Sequence, residues 1–155
     1  MTFRHTVELP ADRTRVWTFL MDVPRVAQCV PGLEQLEDLG DERYRATIKV
    51  KVGPIALALR SNLTIVERDA AAGRSVLALD ADDKRAGGAV TARIEMTLSE
   101  KSSATTELTI VTDAQVLGKI GNFGQPIIRK KADQTVNEVG ENLRAALAAG
   151  GEVVR

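Results

Sequence analysis

Glu42–Glu67, ERYRATIKVKVGPIALALRSNLTIVE, reads as two strands and the turn that joins them. In the first strand Tyr44, Ala46, Ile48, Val50 and Val52 alternate with Arg43, Arg45, Thr47, Lys49 and Lys51. Successive side chains of a strand point to opposite faces, so this pattern predicts one apolar and one charged face. Gly53-Pro54 supplies the turn, and Ile55, Leu57, Leu59, Ser61, Leu63 and Ile65 then continue in phase. A hairpin with one apolar face has to be covered by something else in the chain.

Upstream, Phe3, His5, Val7 and Leu9 share one face of a strand over Thr2 to Leu9. Asp12 is placed to cap a helix over about Arg13 to Met21, and Pro24 opens a second short helix that Pro31-Gly32 stops. Downstream, Leu33 to Glu37 is a modest strand, and Ser75 to Asp80 another, with Leu77 and Leu79 on one face. After the Gly87-Gly88 turn, Val90, Ala92, Ile94, Met96 and Leu98 alternate with polar residues; Thr105 to Val116 follows with Leu108 and Ile110 inward. From about Gly118 the period changes. Ile120, Phe123, Ile127, Val136, Val139, Leu143 and Leu147 recur at helical steps, which predicts an amphipathic helix of about 30 residues, roughly 45 Å long. Pro126 either kinks that helix or marks its start.

The fold class that follows is α+β: an antiparallel sheet of six to seven strands, two short helices after the first strand, and one long C-terminal helix. Short turns between strands leave no room for crossover helices, so the sheet is antiparallel. Its apolar face and the helix stripe are best buried against each other. A straight helix rarely fills the whole concavity of a curved sheet, so a hydrophobic cavity is expected between them. No repeat, linker or low-complexity tract divides the chain, which reads as one domain over residues 1–149 with a frayed tail at 150–155.

Composition excludes several classes. Apolar residues are 44%, charged residues 27% and aromatics 3%, so the interior is built mainly of aliphatic side chains. Lys+Arg and Asp+Glu are equal at 21 each, which argues against a nucleic-acid partner. The lone Cys29 rules out an internal disulfide. No apolar run reaches the roughly 20 residues that span a bilayer, and the alternating N-terminus is unlike a signal peptide. A cytoplasmic location is the default expectation.

Four segments in order carry a resemblance: Pro10 to Asp22 (PADRTRVWTFLMD), Cys29-Val30-Pro31-Gly32, Val50-Lys51-Val52-Gly53-Pro54-Ile55, and Gly118-Lys119-Ile120 with Phe123-Gly124. Through them the chain resembles the G-subunit family of carbon monoxide dehydrogenase, within the START and Bet v 1 superfamily of helix-grip folds. The resemblance implies a non-catalytic accessory protein that binds a hydrophobic small molecule, of quinone or lipid type, in an internal cavity. It also implies service to a molybdenum-containing carbon monoxide dehydrogenase or a related hydroxylase. Some members carry a long C-terminal anchoring extension; its lack here leads us to expect at most transient membrane contact, at the inner face. No cofactor is implied.

The expected pocket is lined by His5, Tyr44, Ile48, Leu57, Leu59, Leu77, Ile94, Met96, Phe123 and Ile127. Pro31, Gly32, Gly53, Pro54, Gly121 and Gly124 are rim or gate candidates by position. His5 reads either as a polar group for a ligand carbonyl or as a satisfied core histidine. Gly118, Gly121 and Gly124 lack the spacing of a dinucleotide-binding loop and suggest close helix–sheet approach, or a mobile lip. No metal site is expected, since one His and one Cys far apart match no ligand spacing. Arg43, Arg45, Lys49 and Lys51 form a solvated outer face or a docking face for an acidic protein. Arg129-Lys130-Lys131 faces solvent or lipid headgroups. No catalytic signature is present. Two other functions stay open: an adaptor with a closed core, and a hydrolase- or cyclase-type enzyme on an apolar substrate.

Overall fold

In the computed structural model the predicted alternations become seven strands: β1 (Thr2–Leu9), β2 (Leu33–Gly40), β3 (Arg43–Val52), β4 (Ile55–Asp69), β5 (Arg74–Asp83), β6 (Gly88–Ser102) and β7 (Thr105–Gly118). They form one antiparallel sheet in the order β1-β7-β6-β5-β4-β3-β2. Helices α1 (Arg13–Leu20) and α2 (Val23–Ala27) link β1 to β2, the strands at the two edges. A 3-10 turn (Lys119–Phe123) leads into α3 (Gln125–Val153). The backbone is described for residues 1–153 and side chains for 1–149; much of the expected tail 150–155 lies outside the described residues.

Local chemistry sets the boundaries. The Asp12 carboxylate accepts the Arg15 N–H at 2.9 Å and caps α1. Asp22 does the same for α2 with Pro24 in its first turn, and α2 ends at Ala27, before the expected Val30. Pro126 marks the start of α3, and the Gly118, Gly121 and Gly124 series lies in and around the 3-10 turn rather than in the helix. Strand β2 runs to Gly40, past the expected Glu37. Gln35 sits at φ 56°, a bulge that shifts the register against β3 and breaks the period-two pattern.

The curl of the sheet follows from where α3 lies. Going along the helix, Arg129 donates to the Thr2 carbonyl and stands over the Phe3 ring, Asp133 meets His5, Gly140 meets Val7, and Arg144 donates to the Glu8 carbonyl. The helix therefore runs beside β1 and in the same direction. It also packs on β3, five strand positions away. In a flat sheet those strands would be about 24 Å apart, against a helix about 10 Å wide, so the sheet must curl round the helix. This is the helix-grip arrangement expected from the sequence.

Candidate functional site: a half-buried apolar face

The buried side chains fall into two separate clusters. The first closes the end where α1 meets the C-terminal half of α3: Val7, Leu9, Val16, Phe19, Leu20, Leu98, Leu108, Leu143 and Leu147. The second closes the tip of the β3–β4 hairpin against the 3-10 turn: Val52, Leu57, Leu59, Ala81 and Ile120, with Phe123 packed on it. A Cβ at Gly53 would stand 3.5 Å from the Phe123 ring, so the hairpin tip and the turn are in contact.

Between these plugs the face toward α3 is less completely covered. Cross-strand register places Tyr44, Leu63, Leu79 and Ala92 in one row. Leu77, Ile94 and Thr112 form the next, and Ser75, Met96, Ile110 and His5 the third. Of these, Tyr44, Leu63, Leu77, Leu79, Ala92 and Ile94 are only partly buried, while Met96 and Ile110, also partly buried, pack against the first cluster. Inward-facing aliphatic side chains that stay accessible require space in front of them, because a packed interior leaves almost none. The helix accounts for part of this: among the described residues it lies along β1 and reaches β3, and it meets β6 at the first plug, where Leu143 and Leu147 share a cluster with Leu98.

Half of the ten sequence-derived pocket residues come together on these rows. His5, Tyr44, Leu77, Ile94 and Met96 lie on the open rows, with Ile48 toward the second plug. Leu57 and Leu59 are fully engaged in that plug and are not free to line the hollow. Phe123 is half-buried at its edge, and Ile127 is 44% exposed, on the outside. Sequence reasoning left out Leu63, Leu79, Ala92 and Ile110, although their strand phase matched, and Ser75, the polar residue in the same phase.

Among the rim candidates, Pro54 and Gly53 are exposed at the hairpin tip, and Gly121 and Gly124 flank Phe123. Pro31-Gly32 has a different task. Gly32 has φ 77°, its carbonyl accepts the Lys49 N–H at 2.8 Å, and a Cβ there would run into the Lys49 carbonyl. The segment pins the α2–β2 loop to β3. On the outer face Arg45 and Lys49 pair with Glu37 and Glu34 of β2 at 3.7 and 3.5 Å.

A cleft opens on the α1–α2 side. A cleft of about 670 Å³ is lined by Trp17, Met21, Val23, Pro24, Tyr44 and Arg68. Tyr44 belongs both to this cleft and to the first open row, so it stands between them. Burial, then Asp38, pushes its phenol upward, keeping a neutral hydroxyl at that point. Arg68 is held by Glu42 and presents no free charge.

Two polar atoms on the third row have no partner. The His5 side chain is 12% exposed; its Nε2 is 2.8 Å from Asp133 Oδ1, while Nδ1 is buried and unpaired. Ser75 is 1% exposed, and its Oγ is likewise buried and unpaired. Such orphans call for an explanation. Among the described residues no group of three His, Cys, Asp or Glu side chains could hold a metal ion, and no helix is long and apolar enough to cross a membrane.

Comparison with known proteins bears on the fold and the family. The family model for CoxG, the G-subunit of carbon monoxide dehydrogenase, matches residues 6–148. A conserved protein from Geobacillus kaustophilus has a crystal structure similar to this chain, with TM-score 0.88, 20% identity and 96% of each chain covered. A START superfamily protein from Mycobacterium smegmatis is similar at TM-score 0.75 and 13% identity, over 96% of this chain and 97% of that one. The Zhui aromatase/cyclase from Streptomyces sp. R1128 is similar at TM-score 0.66 and 20% identity, over 100% of this chain and 96% of that one. At these identities the structures establish the START-like fold alone. No curated protein matches in sequence.

Proposed function

Because the chain belongs to the CoxG family of carbon monoxide dehydrogenase, we propose that it is an accessory protein, without chemistry of its own, that holds a hydrophobic small molecule between its sheet and α3. The observation that carries this reading is the row of half-buried aliphatic side chains between two closed plugs. An apolar guest over Leu63, Leu77, Leu79, Ile94 and Met96 would take that surface out of water, a gain of about 25 cal/mol per Å² before the costs of association. The guest class is quinone- or lipid-like, since the lining offers much apolar surface and few polar groups.

The partner suggested by the family is a molybdenum-containing carbon monoxide dehydrogenase or a related hydroxylase, with the chain working in the cytoplasm. Transient contact with the inner membrane face is supported by exposed Leu117 and Ile127 close in sequence to Lys119, Arg129 and Lys130. Native mass spectrometry of the gently purified protein, followed by solvent extraction, tests the reading. An apolar compound bound at one per chain is the expected result. A guest-free protein that takes up no added long-chain quinone or fatty acid would overturn it.

A further inference from the structure

The outer face of the β3–β4 hairpin carries a trough with charged walls. Leu57, Leu59 and Ser61 point inward, so the outward positions of β4 are Ala56, Ala58, Arg60 and Asn62. Register sets Ala56 beside Lys51, Ala58 beside Lys49 and Asn62 beside Arg45. Two alanines next to long cationic side chains leave a low floor. The near wall is β3, with Arg45, Lys49 and Lys51; the far wall is the β5–β6 turn, with Lys84 and Arg85. The space consists of two adjoining clefts, about 590 and 360 Å³, that share Ala58 and Arg85. From Asn62 to Ala56 the strand rises about 20 Å.

The far wall is fastened in place. The Asp83 carboxylate accepts the N–H of Ala58 on β4 and of Ala86 in the turn, which ties the turn to the hairpin. Arg60 joins the five cations of the walls, and only two carboxylates, Asp82 and Asp83, line the same clefts. Asp83 is already engaged by backbone. Among the described residues Lys51, Arg60, Lys84 and Arg85 form no salt bridge. The Arg45–Glu37 and Lys49–Glu34 pairs are long and exposed, so an incoming carboxylate can exchange for them. The whole chain is neutral; the excess is local.

We propose that this trough binds an extended acidic segment of a partner protein, about six residues laid along β4. Side chains of an extended segment alternate, so successive carboxylates reach the two walls in turn. Its shape argues against the other anionic occupants. The cations are spread over about 20 Å and do not converge on one phosphate. None of the exposed large apolar side chains, Val66, Leu117 and Ile127, lines it, so it offers nothing to insert into lipid. The β3 cations stand out in the sequence, but Arg60, Lys84 and Arg85 join them only through the fold. The trough lies on the face of the sheet turned away from α3, and the inference is independent of the apolar guest.

A rhodamine-labelled hexaglutamate peptide, titrated by fluorescence anisotropy at low ionic strength, should bind saturably at one per chain and weaken as salt is added. Arg60→Glu combined with Arg85→Glu should weaken it about tenfold or more. Arg4→Glu combined with Lys130→Glu makes the same change in net charge at exposed positions outside the trough, and should shift affinity less than about twofold. Ala58→Trp fills the floor without altering a charge and should also weaken binding about tenfold; Ala56→Trp, at an exposed position, serves if the first variant fails to fold by circular dichroism. The loss on filling the floor is the readout that a diffuse positive surface would not give. No saturable binding, equal losses in the two charge-reversal variants, or undiminished binding in a folded floor-filling variant would overturn the proposal. So would tripolyphosphate or phosphatidylglycerol vesicles binding the wild type more tightly than the peptide and losing that binding in the Arg60→Glu, Arg85→Glu variant.

Discussion

Gly140 of α3 lies directly on Val7 of β1: a Cβ added to the glycine would stand 3.0 Å from Val7 Cγ2. This contact sets how close the helix comes to the edge strand, and through it how far α3 stands from the middle of the sheet. Gly140→Val should push the helix outward and cost about 1–3 kcal/mol of stability, the usual range for overpacking. Urea unfolding of the variant against wild type measures it.

The two plugs and the hollow should respond differently to truncation. Leu108 and Leu147 are almost wholly buried, so changing either to Ala should cost about 2–5 kcal/mol. Leu77 is already partly wet in the guest-free protein, so Leu77→Ala should cost no more than about 1–2 kcal/mol. Its effect should fall on guest affinity instead. Denaturation curves with and without an added apolar ligand separate the two outcomes.

Asp83 ties the β5–β6 turn to β4. Its carboxylate accepts the Ala58 N–H at 2.9 Å and the Ala86 N–H at 3.0 Å, and these backbone bonds lower its pKa below the ordinary carboxylate value. A depressed folded-state pKa contributes stability that is present above the unfolded value, about 3.9, and is lost as pH falls through the folded value. Asp83→Asn should therefore lower the melting temperature at neutral pH. The gap to wild type should close as the pH is taken below the ordinary carboxylate range. Melting curves between neutral pH and about pH 2 check both statements.

Cys29 is buried beneath α3, whose Asn142 amide donates to its carbonyl at 3.0 Å. Burial pushes its thiol pKa up, with Arg25 offsetting part of the rise. The native protein should react with a disulfide reagent such as dithionitrobenzoate only slowly. One full equivalent should react once the chain is unfolded in urea.

Much of this architecture is legible in the sequence because period-two alternation is a local property. The phase of β3 through Tyr44, Ala46 and Ile48 needs no knowledge of neighbouring strands, and the switch to helical spacing at Ile120 is just as local. Where local chemistry departs from the period, the reading falters. Leu33, Leu36 and Leu39 are spaced by three, and register shifts between Glu34 and Glu37 and between Asp38 and Gly40 accommodate that spacing, so the alternation makes β2 look short.

The site is harder to read because position along a strand is a tertiary fact. Leu57 and Leu63 share a face, yet one is sealed under Ile120 and the other is open. The docking of the 3-10 turn that carries Ile120 separates them. The His5–Asp133 contact joins residues 128 positions apart, and no spacing rule picks Asp133 from the other acidic residues on the helix.

The central claim is that there is room for a guest over Ile94, and filling that room tests it most directly. Fluorescence titration with Nile red, a neutral apolar dye, should give saturable binding of about one equivalent in the wild type. Ile94→Trp, confirmed as folded by circular dichroism, should abolish it by occupying the space. Absence of saturable binding in the wild type, or unchanged binding in the folded variant, would contradict the account.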